Sequence, residues 1–140
     1  GEPERFYHGF VLGLMVELQD RYVITSNRES GFGRYDIMLE PKRGGVDGYI
    51  IEFKVIHTER GETLEDGVKS AQKQIEEKQY ETALRSRGTG PERIKKYGFA
   101  FEGRRVLIGK NGGEQDGAIQ RKAKGYEREA PKGDPNLRFP

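Results

Sequence analysis

GYIIEFKV, residues 48–55, decides how the rest of the chain is read. The stretch is short, unbroken and rich in isoleucine, valine and aromatic residues, as a central sheet strand is, yet it carries Glu52 and Lys54. Charges inside such a segment cost free energy unless they are paired or coordinated. Side chains alternate along a strand, so Ile50, Glu52 and Lys54 share one face while Tyr49, Ile51, Phe53 and Val55 share the other. The two charges therefore point the same way.

Upstream, RYDIMLE (residues 34–40) reads as the preceding strand and embeds Asp36 between the apolar neighbours Tyr35 and Ile37. Before it, RYVITSN (21–27) reads as a first strand, with Ser30, Gly31 and Gly33 as the turn of a hairpin between the two. Pro41, Gly44 and Gly45 break the chain before residue 48, so three strands in a row form an antiparallel meander. If the register sets Asp36 beside Glu52, two carboxylates and an ammonium converge on one spot. Close carboxylates repel, and the remedies are a shared proton or a bound cation. Oxygen-only donors suit a hard divalent ion such as Mg²⁺, with Lys54 orienting an attacking water or stabilising charge on a phosphate. A structural salt bridge is the competing account, with Glu52 paired to Lys54 and Asp36 paired to Arg34 or Lys54.

The flanks are helical. Phe6, Phe10, Leu14 and Leu18 fall four apart, with Val11 and Met15 adjoining, and predict an amphipathic helix in which Gly9 and Gly13 allow close packing. TLEDGVKSAQKQIEEKQYETAL (63–84) predicts one long helix, capped by Thr63 and Asp66, with Leu64, Val68, Ala71, Ile75 and Leu84 inward. KYGFAF and RRVLIG then form a second hairpin, its first strand reaching the sheet by a crossover. The expectation is a mixed α/β fold in the order helix, three strands, helix, two strands, over residues 1–109. Residues 110–140 are glycine, proline and charge, and read as a polar tail or linker.

Composition narrows the chemistry. At 140 residues the chain has room for one domain, and the 34% charged fraction implies a polar surface. There is no cysteine and there are only two histidines, which excludes disulfides, thiol nucleophiles and zinc ribbons. The net charge of +2 permits an anionic partner without requiring one. No run approaches the roughly 20 apolar residues that span a bilayer, so no membrane partner and a cytoplasmic setting are expected. The opening Gly1, in place of Met, suggests a piece of a longer protein.

The spacing of RYD (34–36) and EFK (52–54), between a leading and a following helix, resembles the PD-(D/E)XK nuclease superfamily. More narrowly, FYHGFVLGLMVEL, SNRESGFGRYDIMLEPK, IIEFKV, AQKQIEEKQYE and KYGFAFEGRRV resemble the nuclease-like domain at the C-terminal end of prokaryotic proteins with an AAA-ATPase-like region. The resemblance spans residues 6–108 and implies a restriction-endonuclease-like core. It also implies that Asp36 and Glu52 bind Mg²⁺ or Mn²⁺, that the backbone carbonyl of Phe53 completes the coordination, and that Lys54 is the catalytic lysine. Tyr35 stands where the name-giving proline would, and removes no ligand.

Relatives resembling Holliday-junction resolvases place a glutamate of the leading helix near the metal. Here His8 and Glu17 are the candidates, and which of them faces the site stays open. Exonuclease-like members carry a glutamine followed four residues later by tyrosine on the second helix. Gln74 is instead followed by Lys78, with Tyr80 two beyond. Glu29 is a further candidate ligand, and Arg34, on the face of Asp36, a candidate phosphate contact. Lys69, Lys73, Arg93, Lys95 and Lys96 offer more phosphate contacts if they line the cleft. The implied function is a metal-dependent nuclease acting on nucleic acid, with DNA the expected partner and an AAA-ATPase-like region a second. The alternatives are an inactive nuclease-fold module for nucleic-acid or protein binding, and an oligomerisation domain with structural charges.

Overall fold

The computed structural model describes residues 2–29, 34–103 and 105–112, without the side chains of residues 2–4 and 29. The expected turn at Ser30, Gly31 and Gly33, and all but the first three residues of the expected tail, lie outside the described residues. A leading helix, α1 (Glu2–Leu18), precedes three strands, β1 (Tyr22–Glu29), β2 (Arg34–Pro41) and β3 (Gly48–Val55). Two helices follow, α2 (Leu64–Glu77) and α3 (Tyr80–Ser86), and then β4 (Ile94–Glu102) and β5 (Arg105–Lys110). The five strands form one mixed sheet in sequence order, antiparallel except where β4 lies parallel to β3 across the helical crossover. This is the mixed α/β order expected, consistent with a restriction-endonuclease-like core. Among the described residues no helix is long and apolar enough to cross a membrane.

Alternation gives the sheet two unlike faces. Tyr35, Ile37, Ile51, Phe53, Phe99 and Phe101 project toward α1, where Phe53 stacks on Phe101 and meets the edges of Tyr7 and Phe10. The α1 stripe departs from the expected one by a single turn position. Tyr7 is buried, whereas Met15 is exposed. Gly9 and Gly13 also differ from expectation, because a Cβ at either would meet nothing within 4 Å.

The close approach occurs instead on the other face, under α2. A Cβ on Gly67 would stand 2.6 Å from Ile56 Cγ2 and 2.8 Å from Ala100 Cβ, and one on Gly98 would stand 2.9 Å from the Val68 carbonyl oxygen. Gly109 completes the seat, its missing Cβ leaving room for Val68 and Gln72. The Thr63 hydroxyl accepts from the Asp66 amide at 3.1 Å and caps α2 as expected. Leu64, Val68, Ala71 and Ile75 then face the sheet, all buried.

The single long helix over 63–84 is corrected to two. Lys78 has φ −84° and ψ 144°, an extended residue between α2 and α3, in a stretch with neither glycine nor proline to break a helix. The cause is tertiary. On one continuous helix, residues two apart lie about 200° apart around the axis, so Lys78 and Tyr80 would face opposite sides. The extended joint aims both at β2.

Candidate active site

Strand register brings the two carboxylates together. Asp36 on β2 is the direct cross-strand partner of Glu52 on β3, so both project from one face of the sheet. They are 2% and 1% exposed, the only buried charged residues among those described. Along the same column Arg34 is opposite Lys54, and on the outer side Asn27 of β1 is opposite Asp36.

Four groups address Asp36. Asn27 Nδ2 donates to Oδ1 at 3.0 Å, while Tyr80 OH and Lys78 Nζ reach Oδ2 at 2.9 and 3.0 Å. From the α1 side Tyr7 OH donates to its backbone oxygen at 3.4 Å. Lys78 Nζ also lies 3.5 Å from Glu52 Oε1, so one ammonium bridges the two carboxylates. Burial first, then its hydrogen bond to the Asp36 carboxylate, pushes the Tyr80 phenol up to about 12. The hydroxyl therefore stays protonated near neutral pH and acts as a donor.

Next along the column, Arg34 donates to Gln74 Oε1 at 2.7 Å and to Ser70 Oγ at 3.3 Å, which fixes its guanidinium against α2. Lys54 is half-buried on the same face, its Cγ 3.8 Å from where a Cβ on Gly67 would stand. Among the described residues no ion pair ties Lys54 to either carboxylate, and the bridging ammonium comes from Lys78.

The structure thus gathers Asp36, Glu52, Lys54, Arg34 and Gln74 on one face. His8 and Glu17 are exposed on α1, which packs against the opposite face. His8 sits edge-on to Tyr7 at the mouth of a cleft of about 430 Å³ between α1 and β1, away from the carboxylates. The side chain of Glu29 lies outside the described residues. Lys69 and Lys73 are exposed on α2, Arg93 lies 3.6 Å from Asp47, and Lys96 is held by Glu76 and Glu81 at 2.9 and 2.8 Å.

Three groups at the pair were not assigned a place there by sequence reasoning: Asn27, Lys78 and Tyr80. Asn27 could have been found by counting outward from the expected turn, because a hairpin centred between residues 31 and 32 pairs 27 with 36. Lys78 and Tyr80 registered only as a departure from a glutamine-tyrosine spacing, which assumes an unbroken helix.

Whether a hard divalent cation suits this face turns on its donors. Among the described residues no group of three or more aspartate, glutamate, histidine or cysteine side chains assembles, so the protein offers two carboxylates. That number matches Mg²⁺-type ions, which use one or two carboxylates and otherwise keep water or substrate oxygens. Glu52 Oε1 faces the Lys78 ammonium, and its buried Oε2 accepts no hydrogen bond among the described residues. The donor set fits, and the position between the carboxylates already holds a positive charge.

A family model described as the PD-(D/E)XK nuclease superfamily matches residues 2–111. No curated protein and no solved structure matches the chain.

Proposed function

The chain belongs to the PD-(D/E)XK nuclease superfamily, and from that premise we propose that it is a divalent-metal-dependent nuclease hydrolysing phosphodiester bonds, with DNA as substrate. One observation carries the proposal. Asp36 and Glu52 are buried, directly opposed and on the face that also carries Lys54 and Arg34. A fold that needed only stability would gain more from apolar residues at two such positions.

Asp36, Glu52 and the backbone carbonyl of Phe53 would hold Mg²⁺ or Mn²⁺. The chemistry such an ion supplies when bound is polarisation of a phosphoryl oxygen and activation of water near neutral pH. Lys54, next along the strand from Glu52 on the same face, stabilises negative charge developing on the reacting phosphate. Arg34 binds a neighbouring phosphate, its planar fork held in place by Gln74 and Ser70. Asn27 and Tyr80 donate to different oxygens of Asp36 and so fix the rotation of its carboxylate.

We assign the nuclease domain to residues 1–109 and a polar tail to 110–140, with a cytoplasmic setting. An AAA-ATPase-like region is the proposed partner, on the strength of the sequence resemblance. The direct test is cleavage of plasmid and single-stranded DNA with Mg²⁺ or Mn²⁺. Asp36→Ala and Lys54→Ala should each lower the rate by about a hundredfold or more. Equal rates in all three proteins would remove both residues from the mechanism.

A further inference from the structure

The Lys78 ammonium stands where a shared cation would stand. It lies 3.0 Å from Asp36 Oδ2 and 3.5 Å from Glu52 Oε1, and its side chain is 19% exposed. The backbone is bent to put it there. Lys78 is the extended residue that separates α2 from α3, in a run of good helix formers. Local propensity favours continuing the helix, so the break is held by what its side chains reach.

We propose that Lys78 is the resident counter-ion of the carboxylate pair, and that a divalent cation binds only by displacing its ammonium. The inference rests on the metal site proposed above. Counting only the charged groups that contact the pair, charge favours the displacement. Two carboxylates with one ammonium leave a single negative charge, and two carboxylates with one divalent ion are neutral. All of them together would leave a positive charge at a site where Asp36 and Glu52 are almost wholly buried. Lys78 caps α2, its backbone N–H donating to the Gln74 carbonyl at 3.0 Å, and the freedom to leave comes from its flexible, partly exposed side chain. Lys78 therefore offsets half the charge of the pair before metal arrives, and sets how tightly metal is held.

Tyr80 provides the internal contrast. It reaches the same oxygen of Asp36, at 2.9 Å, but as a neutral donor. Removing its hydroxyl frees a lone pair without changing the charge at the site.

The experiment is calorimetric binding of Mn²⁺ to the wild type, Lys78→Met and Tyr80→Phe. Methionine keeps an unbranched stem one atom shorter than that of lysine and brings neither charge nor an oxygen donor. Lys78→Met should bind Mn²⁺ about tenfold tighter or more, because no ammonium has to be displaced from the carboxylates before the ion enters, and Tyr80→Phe should gain clearly less. Equal or weaker binding by Lys78→Met overturns the proposal, as does an equal gain in Tyr80→Phe. If neither the wild type nor Lys78→Met binds Mn²⁺, the metal site itself fails, and this inference falls with it. Should Lys78→Met not fold, crystals of the wild type with Mn²⁺ decide the matter. With the ion bound, Lys78 Nζ is expected beyond hydrogen-bond distance of both carboxylates, and an unchanged bridge overturns the proposal.

Discussion

β2 and β3 present alternate residues to two different environments. Toward α1 they offer Tyr35, Ile37, Leu39, Ile51 and Phe53, in contact with the aromatic side chains of α1 and β4. Toward α2 the same strands offer Arg34, Asp36, Glu52 and Lys54 at one end and the buried Met38 and Ile50 at the other, beneath a helix seated on glycines. One face gains stability from apolar area removed from water. The other holds two like charges in burial, which lowers stability unless a cation neutralises them. Successive residues of one strand can obey opposite rules because the pleat separates them, so a face rich in stabilising contacts supports a face organised for binding.

The largest stability effect should come from the aromatic face. Phe53 is fully buried and lies within ring-contact range of Tyr7, Phe10, Phe99 and Phe101. Phe53→Ala is expected to cost about 3–5 kcal/mol in urea unfolding. A cost below about 1 kcal/mol would mean that the α1 face is not the main source of stability, and the contrast drawn above would fail.

On the α2 face the first test is steric. Gly67→Ala gains helix propensity of roughly 1 kcal/mol but places a methyl 2.6 Å from Ile56 Cγ2 and 2.8 Å from Ala100 Cβ. The overpacking should win, with a net loss of about 1–3 kcal/mol. Lifting α2 off the sheet also moves Ser70 and Gln74, which hold Arg34, and Lys78, which bridges the carboxylates. DNA cleavage should therefore fall by more than the loss of folded protein explains. A stable, fully active Gly67→Ala would show that the seat of α2 is looser than the distances say.

Sequence patterning made the register legible and left the helix junction hidden. Alternation in GYIIEFKV and RYDIMLE was enough to put Asp36 and Glu52 on facing sides of their strands, because a one-residue slip turns every apolar side chain to the wrong face, and the direct pairing, open in the sequence, is met by the register. The Thr63 cap and the crossover to β4 were legible for the same reason, since each depends on local residue chemistry or on connection length. The break at Lys78 depends on neither. It is imposed by partners more than 25 residues away in sequence, Asp36 and Glu52, which no helical window contains. The glycines misled in the same way. Gly9 and Gly13 look like a packing motif and face open space, while Gly67, Gly98 and Gly109 meet only after the chain has folded.

The smallest expected effect concerns Lys96, at the partly exposed margin of the α2 face. Its ammonium holds Glu76 of α2 at 2.9 Å and Glu81 of α3 at 2.8 Å, clamping the two helices either side of the break. Burial raises the Glu76 carboxyl, but hydrogen bonds from Lys96 and Asn111 and the charge of Lys96 together hold it below 4.5. A depressed carboxyl adds stability above its unfolded value and loses it as pH falls through the folded one. Burial lowers Lys96, but hydrogen bonds to Glu81 and Glu76 and their charges together raise it, so its share is complete below 10.5 and fades only in strong base. Because both glutamates are substantially exposed, Lys96→Met should cost no more than about 1 kcal/mol at neutral pH. The gap from wild type should narrow in high salt and again as the pH drops below 4.5. A larger loss that ignores both salt and acid would mean that the ion pairs with Glu76 and Glu81 are not what Lys96 contributes, since methionine keeps an unbranched stem there.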